Sequence, residues 1–71
     1  MAHIAHDPRL VSVPPEHRDF ASSIVRELGP RGAAKHVGIG RTALLGIIGL
    51  GECMPGTAAL LREAFARKQA A

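Results

Sequence analysis

Glycine and proline residues divide this 71-residue chain into short segments, and their placement restricts the fold more than any other feature of the sequence. Glycine commonly ends a helix and proline commonly begins one, so each break predicts a helix boundary. Between the breaks, apolar residues recur at helical spacing, with no strong strand pattern and no internal repeat. We therefore expect an all-α fold. The breaks are Gly29-Pro30, Gly38-Ile39-Gly40 and Pro55-Gly56.

Four helices are predicted from the apolar spacing. Pro15 and Glu16 suit the first turn of the first helix, because proline fits the first helical position and a negative charge there complements the helix dipole. The predicted helices are 15–28, 31–37, 41–50 and 57–68, the last with Thr57 as its N-cap. The residues expected to be buried between them are Phe20, Ile24, Leu28, Ala34, Val37, Leu44, Ile47, Leu61 and Phe65.

The first residues of the chain differ from the rest. Residues 1–13 show no helical period, Asp7-Pro8 predicts a turn, and residues 10–13 form a candidate extended piece. A chain of this length forms one small domain. We expect an irregular N-terminal arm over residues 1–13 and a compact four-helix domain over residues 14–71.

Composition excludes several classes of protein. A single cysteine, Cys53, excludes an internal disulfide and suits a reducing compartment. The longest apolar run, residues 43–50, is far shorter than the roughly 20 residues that a membrane span needs, and the N-terminus has no signal-peptide run. Aromatic residues are only 3%, which disfavours modules that stack bases on exposed rings. We expect a cytoplasmic protein with no membrane partner.

The chemically reactive residues form no catalytic or metal-binding pattern. His3 and His6 lie on the arm, His17 and His36 stand apart, and Cys53 lies in a glycine-rich loop with no predicted base beside it. The six acidic residues form no pair suited to acid–base catalysis. We therefore expect no enzyme activity, no metal and no cofactor.

The segment 30–50 combines two short helices with a glycine-containing turn. Gly38 tolerates the positive φ that such a turn requires, and Ala34 is small where the two helices must approach each other. This pattern is typical of a helix-turn-helix. The side chains expected to fill the angle between the helices are Val37, Leu44 and Ile47.

The run 31–44 resembles the helix-turn-helix of small bacterial and phage DNA-binding regulators, which often read A-A-x-x-[LV]-G-[VI]-S-R-x-x-[LI]. Residues 54–57 and the predicted helix after them are similar to the end of λ-repressor/Cro-like domains. The resemblance covers more than half of the chain. The matching residues are Ala33, Ala34, Val37, Gly38, Ile39, Arg41 and Leu44.

The resemblance implies sequence-specific duplex DNA binding by a small transcriptional regulator. Helix 31–37 would position the domain, and helix 41–49 would be the recognition helix in the major groove. A homodimer is expected, because two-fold pairing doubles the base contacts on a palindromic site. The implied base-edge residues are Arg41 and Thr42, and the implied phosphate contacts are Arg31 and Lys35. The full candidate set is Arg31, Lys35, Gly40, Arg41, Thr42, Leu45 and Gly46.

The sequence departs from this family in two ways. Gly40 replaces the usual Ser or Thr cap, and Leu45, Gly46 and Gly49 occupy the outward face where polar side chains are expected. Small residues would let the helix backbone approach the DNA closely, with Thr42 and Leu45 contacting thymine methyl groups. Alternatively, this apolar face docks a protein, and the chain is a protein-interaction module that uses the helix-turn-helix shape.

The charge distribution separates these two interpretations. The net charge is +3, and the segment 31–41 contains Arg31, Lys35 and Arg41 with no acidic residue. A basic segment that coincides with the helix-turn-helix favours contact with phosphates. The uncharged outer face of the third predicted helix favours a protein partner.

Overall fold

The computed structural model describes residues 9–70 of the chain, and helices account for most of them. The described residues contain three helices and a two-stranded antiparallel sheet. A predominantly helical fold is therefore confirmed. The elements in chain order are β1 (Val11–Ser12), α1 (Pro15–Val37), α2 (Arg41–Leu50), β2 (Glu52–Cys53) and α3 (Pro55–Ala70).

The prediction of four helices is wrong, because the first two predicted helices run together as α1. Gly29 departs from helical geometry, with φ of 79° and ψ of 163°, and α1 continues from Pro30. Proline needs no acceptor for a backbone N–H and has a φ suited to the first turn of a helix. Since a single residue leaves the helical region, Gly29-Pro30 produces a kink inside one helix instead of a loop between two.

The small sheet ties the arm to the chain that follows α2. Val11 pairs with Cys53 and Ser12 pairs with Glu52, and the Val13 N–H donates to the Gly51 carbonyl at 2.8 Å. The candidate extended piece at residues 10–13 thus contains β1, whereas β2 was not predicted. Two-residue strands are too short to show an alternating pattern. The predicted turn at residues 7 and 8 lies outside the described residues.

The core lies between α1 and the two later helices. Among the predicted core residues, Phe65 is partly buried and Leu28 is 47% exposed, so the prediction for Leu28 is wrong. Leu28 lies on the wall of an open groove, which accounts for its exposure. The predicted residues that are buried are Phe20, Ile24, Ala34, Val37, Leu44, Ile47 and Leu61, and the unpredicted ones are Val13, Ala21, Ala33, Cys53 and Ala64.

Aromatic contacts join α1 to α3. The Phe20 and Phe65 rings meet edge to face with centroids 5.5 Å apart, and the His17 ring lies 4.8 Å from Phe65. α3 begins at Pro55, two positions earlier than predicted, and the Ala58 N–H donates to the Met54 carbonyl at 3.0 Å. Proline at the first helical position explains the earlier start.

The turn between α1 and α2 has the backbone geometry that the sequence predicted. Gly38 has φ of 87°, and its N–H donates to the Ala34 carbonyl at 2.8 Å. The Ile39 N–H donates to the same carbonyl at 3.1 Å. Both bonds satisfy a carbonyl at the end of α1, and the left-handed conformation at Gly38 allows them to form.

We expect Gly38→Val to destabilise the protein by more than about 1 kcal/mol, because a β-branched residue is strained at positive φ. The free energy of unfolding in urea measures this effect. Gly49→Val is the matched control. Gly49 lies inside α2 with no atom near an added Cβ, and valine has the higher helix propensity. Equal stability of the Gly38→Val variant and the parent would contradict the importance of this turn.

Candidate nucleic-acid interface

One face of α2 is buried against the rest of the domain, and the opposite face is exposed to solvent. Leu44 and Ile47 are fully buried and pack into the core shared with α1. At its N-terminus, Gly40 is the N-cap residue, and its carbonyl accepts the Leu44 N–H at 3.0 Å. No side chain caps this helix end, so its first N–H groups have no side-chain acceptor among the described residues.

The exposed side of α2 contains the residues that the sequence singled out. Arg41 and Thr42 are exposed in the first turn, and Leu45 is 46% exposed one turn later. A Cβ added at Gly46 or Gly49 would have no other described atom within 4 Å, so packing against residues 9–70 requires neither glycine. The first turn contains no acidic residue, which leaves the positive end of the helix dipole uncompensated.

Two further cations are exposed on the part of α1 that follows the kink. Arg31 and Lys35 are four residues apart, which places them on the same side of the helix. Within residues 9–70, the side chains of Arg31, Lys35 and Arg41 make no hydrogen bond and no ion pair. No acidic residue occurs between Glu27 and Glu52. The segment 31–41, which spans the end of α1, the turn and the start of α2, is therefore a cationic region that no acidic side chain of residues 9–70 neutralises through an ion pair.

Arg18 holds the C-terminal end of α2, which sequence reasoning did not anticipate. Its Nε and Nη2 donate to the Ile48 carbonyl at 3.0 and 2.9 Å, and Nη2 also donates to the Gly49 carbonyl at 3.2 Å. The last carbonyls of a helix lack partners within the helix, so a guanidinium can satisfy them. The contact joins residues about 30 positions apart, and no local pattern signals it.

Gly51, the residue after α2, lies close to the same guanidinium. Gly51 has φ of 73°, and its N–H donates to the Ile47 carbonyl at 2.8 Å. A Cβ at this position would lie 3.2 Å from Arg18 Nη1. The positive φ therefore favours glycine here, and a larger residue would also have to displace the guanidinium slightly.

The other reactive groups form no second site among the described residues. Cys53 is 6% exposed, and burial raises the pKa of its thiol, which disfavours the nucleophilic thiolate. Over residues 9–70, no three His, Cys, Asp or Glu side chains cluster closely enough to hold a metal ion. His3 and His6 lie outside this range. In the same range, no helix has the length and apolar character needed to span a membrane.

We expect Arg18→Ala to destabilise the protein by about 1.5–3 kcal/mol, the usual range for hydrogen bonds that involve a charged group. The loss arises because three hydrogen bonds to the end of α2 disappear. Urea unfolding monitored by circular dichroism measures it. Arg26→Ala is the control, since Arg26 is exposed on the same helix and makes no such bond within residues 9–70. Equal losses in both variants would show that Arg18 does not hold α2.

Comparison with known proteins identifies no relative. The chain matches no protein-family model, and neither a curated protein nor a solved structure is significantly similar to it. The resemblance to λ-repressor/Cro-like domains stays a prediction.

Proposed function

We propose that this protein binds double-stranded DNA as a small cytoplasmic transcriptional regulator, with the N-terminal half of α2 in the major groove. The observation that carries the proposal is the exposure of Arg41 and Thr42 in the first turn of α2, directly after the turn that joins it to α1. A helix held in this way presents its first residues to base edges. The uncompensated dipole at the same end favours a nearby phosphate.

The charged residues divide into two roles under this proposal. The guanidinium of Arg41 donates two parallel hydrogen bonds to a guanine edge, which is the commonest specific contact of arginine with DNA. Arg31 and Lys35, one turn apart on α1, contact phosphates without regard to sequence. The absence of acidic residues between Glu27 and Glu52 supports this division, because a carboxylate near the DNA would oppose both contacts.

The two glycines within α2 support close approach by another molecule. Each lowers helix stability by about 1 kcal/mol relative to alanine, and neither has a packing role among the residues that the structure describes. At Gly46 and Gly49 the helix backbone therefore stands open to a partner surface. In the DNA complex, this allows the helix to lie deep in the groove while Leu45 contacts a thymine methyl group.

We propose a homodimer as the DNA-binding form, because a single domain of this size reaches few bases. Leu50 is 76% exposed and Met54 is 37% exposed, which makes the C-terminal end of α2 a candidate contact surface. The first turn of α2 lies at the opposite end of this 10-residue helix, roughly 15 Å away at 1.5 Å per residue. Pairing at Leu50 thus leaves Arg41 free to meet DNA.

The second candidate function is protein binding through the outer face of α2. The observation that favours it is the exposure of Leu45 on a helix that has no charged side chain after Arg41. Under this alternative, the apolar face around Leu45, Gly46 and Gly49 docks a partner protein, and the cations of α1 remain solvated. The two functions make different predictions for single substitutions.

We expect Arg41→Ala to weaken binding to a specific duplex by about 1–3 kcal/mol and to relax base preference at one position per half-site. Lys35→Ala should weaken binding to all duplexes alike and reduce the slope of log K against log salt by about one. Selection from a randomised duplex pool identifies the preferred site. Fluorescence anisotropy at two salt concentrations then measures the affinities.

Arg62→Ala provides a control of equal charge, since Arg62 is exposed on α3 and lies outside the helix-turn-helix. It should leave base preference unchanged. Unaltered preference and affinity after Arg41→Ala would eliminate direct base recognition by α2. A chain that binds no duplex at low salt would eliminate the DNA-binding proposal as a whole.

Leu45→Asp separates DNA binding from protein binding. We expect it to reduce duplex affinity about tenfold, because a carboxylate on the outer face would repel phosphates. The fold should tolerate the change, with a loss below about 1 kcal/mol, because Leu45 is 46% exposed. If duplex affinity is unchanged, the outer face of α2 does not meet DNA, and the protein-interaction function is favoured.

A further inference from the structure

A groove between α1 and α3 has no role in the proposed DNA contact. It has a volume of about 420 Å³, within the usual range of roughly 300–1,000 Å³ for small-molecule sites. Its apolar part is formed by Phe20 and Ile24 from α1 and Ala64 from α3, all of which are buried. Leu28 lies on the wall with 47% of its surface exposed.

Leu28 is the exposed apolar side chain of the groove. It continues the four-residue spacing of Phe20 and Ile24, which predicts a buried position. In the structure Phe20 and Ile24 are buried, whereas Leu28 is exposed on the groove wall. An apolar ligand that covers Leu28 would gain roughly 25 cal/mol of binding free energy for each Å² of apolar surface removed from water.

The charged groups of the groove are mainly cationic. Arg67 and His36 border it, together with Lys68, whose Nζ lies 5.6 Å from the centre of the Phe20 ring. Glu27 is the single acidic residue in the lining. Over residues 9–70, the side chains of Arg67 and His36 make no hydrogen bond or ion pair, so both side chains are available to an anion.

We propose that this groove binds a free amphiphilic carboxylate, with its hydrocarbon tail along the groove against Leu28 and its headgroup on Arg67. The proposal is independent of DNA binding. The lining contains no serine, threonine, asparagine or glutamine that would bind the amides of a peptide. An apolar floor with a cationic border therefore fits a hydrocarbon tail and one anionic group better than a polypeptide segment.

The size of the groove sets the length of the ligand. Its volume of about 420 Å³ lies near the lower end of the usual range for small-molecule sites, so a tail of medium length fits it better than a long one. Decanoate is therefore the probe, with butyrate as a control for the charge alone and decanol as a control for the tail alone.

The test is a titration of decanoate into the ¹⁵N-labelled full chain, followed by amide chemical shifts. We expect saturable shifts centred on Leu28, His36 and Ala64, and binding by decanol and butyrate that is at least about tenfold weaker. Arg67→Gln should weaken decanoate binding about tenfold. Arg62→Gln, the same change on an exposed residue of α3 outside the groove, should retain the parent affinity.

Leu28→Glu provides an independent block of the groove. Because Leu28 is 47% exposed, the variant should retain its helical circular dichroism while losing decanoate binding. Non-saturating shifts, shifts spread over the whole surface, or equal effects of the two arginine variants would identify surfactant adsorption and overturn the proposal. So would a dimer in sedimentation that Leu28→Glu dissociates, because a second copy of the chain would then occupy the groove.

Discussion

The position of α2 depends on the burial of two side chains, Leu44 and Ile47, against α1. A helix of 10 residues is marginal by itself in water, and two interior glycines lower its stability further, by about 1 kcal/mol each. Full burial of a leucine or isoleucine contributes roughly 1.5–3 kcal/mol, which is enough to offset the glycines. The helix therefore exists because of its contact with α1, and its orientation follows from that contact.

Arg18 and the small sheet complete the attachment at the other end of α2. The guanidinium binds the Ile48 and Gly49 carbonyls, and the backbone after the helix pairs with the arm through β1 and β2. Packing fixes the inner face, and hydrogen bonds fix the C-terminal end. The N-terminal turn is left with exposed side chains and no cap from a side chain. An interface at this turn can meet a partner without disturbing the contacts that hold the helix.

The kink at Gly29 divides α1 into a part that packs on α3 and a part that leads into the turn before α2. Before the kink, α1 packs on α3 through the Phe20 and Phe65 rings, and after it the helix contributes Arg31 and Lys35 to the cationic region. The groove is lined by residues from both parts of α1. Both proposed sites therefore depend on the same long helix.

Several features of the structure were predictable from the sequence because their causes are local. The end of α1 follows from the glycine at position 38, the positive φ of Gly38 follows from the turn, and the burial of Leu44 and Ile47 follows from helical spacing. The candidate residues at the start of α2 were also found locally, since Arg41 and Thr42 directly follow the turn. Their function stays a prediction, because local spacing carries no information about a partner.

Only the tertiary structure decided the contacts that join distant segments. The Arg18 bonds to α2 and the pairing of β1 with β2 connect residues about 30 to 40 positions apart, and such distances leave no periodic signal. The exposure of Leu28 has the same origin. The sequence alone determined that Leu28 lies on the apolar side of α1, but the packing of the helices left it on the wall of a groove and half exposed, because burial depends on what the fold brings opposite a residue.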